Sequence, residues 1–417
     1  MKIVHLNTED ISGGAARATY RLHTGLKRLG HESSLFVMNS KSNDPTVLTF
    51  KPAMDLLTRV RRRVRRRQIT RDFARYRQSR PGGCEIFSDD RSEYGADLVR
   101  QLPPCDVINL HWIAGFLDYQ AFFSSIPQRT PIVWRLADMN PLTGGCHYDD
   151  GCGKFKQACG SCPQLGSTEE KDFSRKILER KQAVFRSLEP GRLHIVALCQ
   201  WMAGQVKQSP LLSKFPVTLI PNGVDTEEFA PRDCRMAREL LGIPRDMRVA
   251  LFAADDAANR RKGFSLLLES LSQVGDKDNV FLVSVGSGEP HVKVQLPHLH
   301  LGHVEYRWLS LAYSAADVFV IPSLQDNLPN TVLESMACGT PVIGFAVGGI
   351  PDMVRHETTG RLVAPFDVGA LRAAIVDLLH DPVKRKEMGV NCRRIAVEEY
   401  SLELQARRYS ELYKSLL

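Results

Sequence analysis

The stretch VFVIPSLQDNLPNTVLESMACGTPVI, residues 318–343, decides how the chain is read. Val318 to Ile321 is a short β-branched and aromatic run, the composition of a strand buried on both faces. A loop carrying Asp326 follows, a helix opens near Asn330 and runs over Thr331–Ala337, and Pro341-Val-Ile343 begins the next strand. Strand, loop, helix and strand make the repeating unit of a parallel α/β sheet, whose ligands bind beyond the carboxyl ends of the strands. The helix start offers backbone N–H groups and the positive end of its dipole to an anion such as a diphosphate. Glu334, about one turn into the helix, is placed to accept from vicinal ribose hydroxyls, and Asp326 to face the hydroxyls of a sugar.

The same alternation continues outward on both sides. Lys2–Leu6 reads as a strand, Ser12-Gly-Gly14 as a turn and Ala15–Leu29 as a helix closed by Gly30, followed by strands at Ser34–Met38, Asp106–Leu110 and Pro131–Trp134. A second series runs through Leu193–Ala197, Val217–Ile220, Arg248–Phe252, Val280–Ser284, Val318–Ile321 and Pro341–Ile343, with helices at Ser265–Gln273 and Thr331–Ala337. A chain of 417 residues suits two or three domains. The pattern predicts two doubly wound α/β halves, residues 1–205 and 206–400, with a helix over 401–417 packing back on the first.

Order and spacing of the short motifs carry a resemblance. Residues 318–343 resemble the signature of glycosyltransferase family 4, in which two acidic residues precede a Met-Ala-Cys-Gly-x-Pro-Val-like turn. Collinear pieces extend the similarity over most of the chain: Gly13-Gly14-Ala15, Gly30-His31-Glu32, Ile220-Pro-Asn-Gly-Val-Asp225, Arg261-Lys-Gly263, Val285-Gly-Ser-Gly288, Tyr313-Ser-Ala-Ala-Asp317 and Gly348-Gly-Ile-Pro351. The resemblance implies the GT-B fold, two Rossmann-like domains facing each other across a cleft. It also implies transfer of a hexose from a nucleotide-diphosphate sugar, with retention and without a catalytic metal. On this reading the first half binds the acceptor and the second the donor. Gly13 and Gly14 would bring backbone N–H groups to the donor phosphates, Arg261 and Lys262 would neutralise the leaving diphosphate, Asn330 and Thr331 would open the phosphate-binding helix, and Glu334 would hold the ribose. Asp326 would meet the donor sugar, with His111 and Asp138 on the acceptor side.

Three positions depart from the family pattern. Asp326 stands where Glu is common, Ala137 replaces a His expected directly before Asp138, and Ala253–Ala258 has no counterpart of an Arg expected before Lys-Gly, for which Arg260 or Arg261 would substitute. His111, just after the strand Asp106–Leu110, lies at a ligand-facing strand end, the alternative being a core histidine. Asp138 reads alternatively as a turn cap. Ala137 is the best support for a rival reading, a noncatalytic GT-B protein that binds a sugar nucleotide or scaffolds polysaccharide assembly.

Ten cysteines are present, and four crowd together as Cys146, Cys152, Cys159 and Cys162 in the insertion 143–165. Four thiolates suit a structural zinc ion, with His147 as a possible substitute ligand. Reduced thiols or two local disulfides are the alternative. A subset of family 4 enzymes looks similar here, with a Cys-rich insertion.

Between Arg59 and Arg80 eleven arginines face one acid, Asp72, so this segment alone exceeds the net charge of +8 and the remainder is slightly acidic. Over 54–80 the arginines interleave with Leu56, Leu57, Val60, Val64, Ile69, Phe73 and Tyr76, giving a narrow apolar stripe flanked by guanidinium groups. Such a helix suits an anionic membrane surface, and with it a lipid-linked glycan acceptor in cell-surface polysaccharide synthesis, the alternative being a solvated basic helix. No nucleic-acid motif accompanies it. The longest apolar runs fall far short of the ~18 residues of a membrane span. Met1–Leu6, followed by Glu9 and Asp10, does not read as a signal peptide, so the expected location is cytoplasmic, on the inner face of the membrane.

Overall fold

Seven strands form the first sheet: β1 (Lys2–Glu9), β2 (Glu32–Asn39), β3 (Val47–Thr49), β4 (Val107–Leu110), β5 (Ile132–Arg135), β6 (Leu193–Ala197) and β7 (Val217–Leu219). In the computed structural model, which describes residues 1–288 and 296–417, they lie in the order β3-β2-β1-β4-β5-β6-β7, all parallel. The second sheet holds β8 (Arg248–Asp256), β9 (Val280–Ser287), β10 (His298–His300), β11 (Val318–Ile321), β12 (Val342–Phe345) and β13 (Gly360–Val363). Its order is β10-β9-β8-β11-β12-β13, also parallel. Both orders reverse direction beside the first strand of their sheet, as doubly wound folds do, and each reversal opens a crevice at the strand ends.

The chain divides into one unit of Met1–Ile220 with Ala406–Leu417 and another of Pro221–Gln405. The first extends past the expected boundary at 205. β6 and β7, read from the sequence as opening the second series, complete the first sheet instead, because β6 pairs with β5 and β7 with β6. The return to the first unit begins at Ala406, within the helix Leu402–Leu416. There Ala406, Tyr409, Leu412 and Tyr413 pack on Ile3, Val107, Val133 and Val196, and Asn109 donates to the Tyr413 hydroxyl at 2.6 Å. Burying two tyrosines against a strand surface is worth several kcal/mol, on the order of 1.5–3 for each large side chain.

The second unit is built on Ala250, Phe252, Val318, Val320, Ile343 and Phe345 from its central strands, closed by Leu371, Ile375 and Leu378 of the helix Val368–His380. Asp317, in one of the family-like motifs, has a structural task here: it accepts from the Val249 amide at 2.7 Å and pairs with Arg238 at 2.8 Å and Arg385 at 3.2 Å.

The arginine-rich segment forms the helix Leu56–Ala74, capped by Asp55 and with no buried residue. The single expected stripe is split. Leu56, Leu57, Val60 and Val64 are exposed, whereas Phe73 lies 5.0 Å from the Phe173 ring and Tyr76 stacks on it at 6.4 Å. Residues 62, 65 and 66 share a face at helical spacing, and this face is tied down. Arg62 meets Glu93 at 2.9 Å, Arg66 also pairs with Glu93, and Arg65 pairs with the buried Asp118 and donates to the Ser92 carbonyl at 2.7 Å. The Leu/Val face points the other way. Among the described residues, no helix is long and apolar enough to cross a membrane.

Candidate functional site

In the second unit, the turn Arg260–Lys262 and the loop after β11 are folded onto each other. The Leu324 amide donates to the Arg261 carbonyl at 2.8 Å, and Arg261 Nη1 donates to the Gln325 carbonyl at 2.8 Å. Gly263 sits at φ +71°, where a Cβ would lie 1.8 Å from the Pro322 carbonyl oxygen. Gly348, at φ +55°, similarly faces the Asp326 carbonyl, and the Gly349 amide donates to that carbonyl at 3.1 Å. Only glycine permits both close approaches, which gives the family-like Lys-Gly and Gly-Gly motifs their physical meaning.

This folding brings Asp326 against two cations. Lys262 Nζ stands 2.6 Å and Arg261 Nη1 3.3 Å from Asp326 Oδ2, with the Ser323 hydroxyl at 3.3 Å. Burial alone would raise the Asp326 carboxyl, but the two cations outweigh it and hold the group below the usual carboxylate range. The carboxylate expected to meet a sugar directly is therefore engaged with the very cations expected to meet a diphosphate. It offsets one of the two positive charges and holds both cations just past the end of β11.

The helix Asn330–Ala337 begins beside this pair, capped by Pro329, which offers no side-chain acceptor. Asn330 and Thr331 are half-buried on its first turn, and Glu334 is buried one turn further along. Tyr313 donates to Glu334 Oε2 at 3.4 Å, and Asn222 Nδ2 donates to Asn330 Oδ1 at 2.9 Å. The sequence reading did not single out Tyr313 or Asn222 for this site, although both lie in motifs it quoted. Asp326, Arg261, Lys262, Asn330, Thr331 and Glu334 all belong to the second unit, and Gly13 and Gly14 to the first. There Gly13 caps the helix Gly14–Arg28 at φ 85°.

His111, at the end of β4, is buried and lines a small cavity together with Trp112, Asp138 and His147. Its ring turns into the interior of the first unit, Nε2 2.9 Å from His5 Nδ1 and Nδ1 3.4 Å from Arg135 Nη1. Burial, then His5 and Arg135, drive it well below the usual histidine range, so it is a neutral core residue.

Asp138 has different company. His147 Nδ1 lies 2.6 Å from Asp138 Oδ2, Trp112 Nε1 donates to the same oxygen at 2.8 Å, and the Asn140 amide donates to Oδ1 at 2.8 Å. Burial would raise this carboxyl; the imidazole and the hydrogen bonds lower it. A carboxylate only accepts, so His147 Nδ1 carries the proton. Nε2 then faces the Ser88 hydroxyl at 2.7 Å. The loop is pinned from below by the fully buried Lys181, whose Nζ donates to the carbonyls of Asn140 at 2.6 Å and Thr143 at 3.1 Å. Burial pulls its ammonium down to about 8.

Cys146, Cys152, Cys159 and Cys162 are free thiols lining one small cavity together with Asp149 and Phe155. Burial, then the neighbouring sulfurs, push Cys146 well up, and burial raises Cys159 to about 11. The donor chemistry suits a soft divalent ion. Among the described residues, however, no three His, Cys, Asp or Glu side chains converge as a ligand set, so the expected tetrahedral site is not assembled as it stands.

The strand order of both sheets and the glycine-built loop around Asp326 define a protein of the GT-B fold. Over its whole length the chain is similar to sucrose-phosphate synthase from Thermosynechococcus elongatus, with a TM-score of 0.67 at 21% identity, covering 100% of this chain and 99% of that one. HepE of Anabaena, solved with UDP-glucose, gives a TM-score of 0.67 at 16% identity, covering all of both chains. Residues 248–381 match the family described as glycosyl transferases group 1. A GDP-mannose-dependent monoacylated alpha-(1-6)-phosphatidylinositol monomannoside mannosyltransferase of Corynebacterium glutamicum is 30% identical over 214 residues, 47% of this chain and 55% of that protein. The MMP alpha-(1->4)-mannosyltransferase of Mycolicibacterium hassiacum is 30% identical over 224 residues, 50% of this chain and 52% of that one. The chain thus spans about half the length of the curated relatives it matches.

Proposed function

We propose that the protein is a retaining glycosyltransferase that moves a hexose from a nucleotide-diphosphate sugar to a hydroxyl of a lipid-linked glycan, in the synthesis of a cell-surface polysaccharide. The observation that carries this reading is the pairing of Arg261 and Lys262 on Asp326 beside the start of Asn330–Ala337, with Glu334 one turn into the helix. The Lys262 side chain remains about one-fifth exposed, so it can serve a diphosphate from its outer side while Asp326 holds it. Charge developing on the leaving diphosphate is the term such an arrangement stabilises most, and Glu334 takes the ribose hydroxyls. The names of the relatives, two mannosyltransferases and a protein solved with UDP-glucose, support a nucleotide-sugar donor.

Two further features complete the reading. The exposed Leu56, Leu57, Val60 and Val64, flanked by arginines, hold the protein on the anionic inner face of a membrane, where a lipid-linked acceptor is found. Cys146, Cys152, Cys159 and Cys162, which line one cavity, would supply the thiolates for one structural zinc ion. Ala137 favours the rival reading of a noncatalytic sugar-nucleotide binder.

A panel of sugar nucleotides, scored by thermal stabilisation and then by consumption with lipid-linked glycan, separates these readings. Glu334→Ala should weaken the stabilising donor by about 1–3 kcal/mol through loss of charge-assisted hydrogen bonds. Unchanged donor affinity by calorimetry would remove the ribose assignment, and stabilisation without consumption would favour the binder.

A further inference from the structure

We propose that the outer face of the helix Pro382–Tyr400 is a dimer interface, on which a second copy of this chain lays the same helix antiparallel across a twofold axis at Val390. The helix is apolar on two sides. Met388, Cys392, Ile395 and Ala396 are buried in the second unit, as a surface helix of a globular protein requires. On the opposite side Val383, Val390 and Val397 stand 78%, 65% and 40% exposed. Seven residues make two turns and drift only about 20° around the helix axis, so the three valines form one seam roughly 20 Å long. Valine loses rotamer freedom in a helix and is a poorer helix former than the Lys, Glu and Arg around it. Three valines facing water therefore weaken the helix unless something covers them. Scattered exposed apolar residues call for no explanation, but a seam in one register does. A seven-residue repeat is the spacing of a coiled-coil core position, so the surface fits another helix.

The flanking charges identify that helix. Glu387 and Arg394 lie along one edge of the seam, on either side of Val390, and both are exposed. A twofold axis through Val390 sets Val383 against the partner's Val397 and Glu387 beside the partner's Arg394, and the symmetry makes each contact twice. A parallel pair would instead set Arg394 beside the partner's Arg393, with no acid to meet it. Along the other edge Lys386 faces water. Arg393 is withdrawn there, its guanidinium donating to the carbonyls of Phe229 and Ala337 at 2.9 Å and of Thr226 at 3.0 Å. Arg394 reaches Glu398 at 2.9 Å within its own helix, an exposed pair that costs little to share. One helix face per copy is small beside the roughly 1,200–2,000 Å² of a stable interface, so the dimer is weak and depends on concentration.

Sedimentation equilibrium of the full chain from about 5 to about 500 µM should show a monomer–dimer equilibrium with a dissociation constant on the order of 10–100 µM. Val390→Glu sets two carboxylates together at the axis and should leave a monomer over the whole range, with the parent's thermal midpoint because the position is exposed. Glu387→Arg and Arg394→Glu should each weaken the dimer about tenfold, and the two together should restore the parent's strength. Should Val390→Glu fail to fold, this charge-swap series decides alone. A parent that stays monomeric, a folded Val390→Glu that dimerises as the parent does, or a double swap no stronger than the single ones overturns the pairing. A monomeric parent whose sedimentation with anionic vesicles falls in Val390→Glu would give the face to a lipid surface instead.

Discussion

Glutamine at Arg59, Arg61, Arg63 and Arg67 should release the protein from anionic vesicles without unfolding it. These four side chains are exposed, whereas Arg62, Arg65 and Arg66 tie the helix Leu56–Ala74 to Glu93 and Asp118. Replacing every arginine of the segment would therefore confuse loss of membrane contact with loss of the helix's seat. Each arginine close to an anionic surface contributes about 1 kcal/mol, so four contribute about 4 kcal/mol, roughly a thousandfold in partitioning. The figure is an upper bound, because charges more than a Debye length of ~8 Å from the lipid are screened at physiological salt. The assay is co-sedimentation with phosphatidylserine-containing vesicles across a salt series, with neutral vesicles as control. A contrasting triple variant, Arg62, Arg65 and Arg66 to Gln, should lower stability by about 1–3 kcal/mol, because it strands the buried Asp118. Two results refute the reasoning: a parent chain that never sediments with anionic vesicles, or a quadruple variant that sediments as the parent does.

Other outcomes follow from the buried charges and thiols. Lys181 is held near 8 by burial, whereas the unfolded chain keeps that proton to about 10.4, so between these values the unfolded state binds more protons and stability should rise with pH. Urea midpoints taken from pH 8 to 10 should show the rise in the parent and a flatter profile in Lys181→Met. Asp326→Asn strands Lys262 and Arg261 and should cost about 2–4 kcal/mol in denaturant unfolding at neutral pH; a cost under about 0.5 kcal/mol would show that the ion pairs are dispensable. Because the Asp326 carboxyl is depressed, its contribution is present above the unfolded value near 3.9 and is lost as pH falls through its folded value. Metal analysis after dialysis should find one zinc per chain, and replacing Cys159 and Cys162 together should remove it; under about a tenth of an equivalent in the parent would refute the zinc proposal.

Much of this was legible in the residues themselves. Short β-branched runs such as Val318–Ile321, alternating with helical stretches, dictate a parallel α/β architecture, because each run is apolar on both faces and must be covered by helices on both sides. The helix after Asp326 was expected to open near Asn330 and does so, whereas the glycines of Arg261-Lys-Gly263 and Gly348-Gly-Ile-Pro351 were legible only as parts of a family-like pattern. These are local properties, set by backbone sterics and by side-chain periodicity.

Tertiary structure decided which groups face one another. A position just past a strand end does not say which way a ring turns, so His111 lies against His5 and Arg135, while His147, nine residues beyond Asp138 at the start of the cysteine-bearing loop, reaches its carboxylate. That Asp326 spends its charge on Lys262 and Arg261 depends on folding two loops 64 residues apart onto each other. The first unit ends at Ile220 because β7 finds its partner in β6, a pairing no local signal announces. The arginine helix has a bound face and a free face only because Glu93 and Asp118 stand where three of its guanidinium groups arrive. Pairings of this kind depend on long-range distances, and those exist only once the chain has folded.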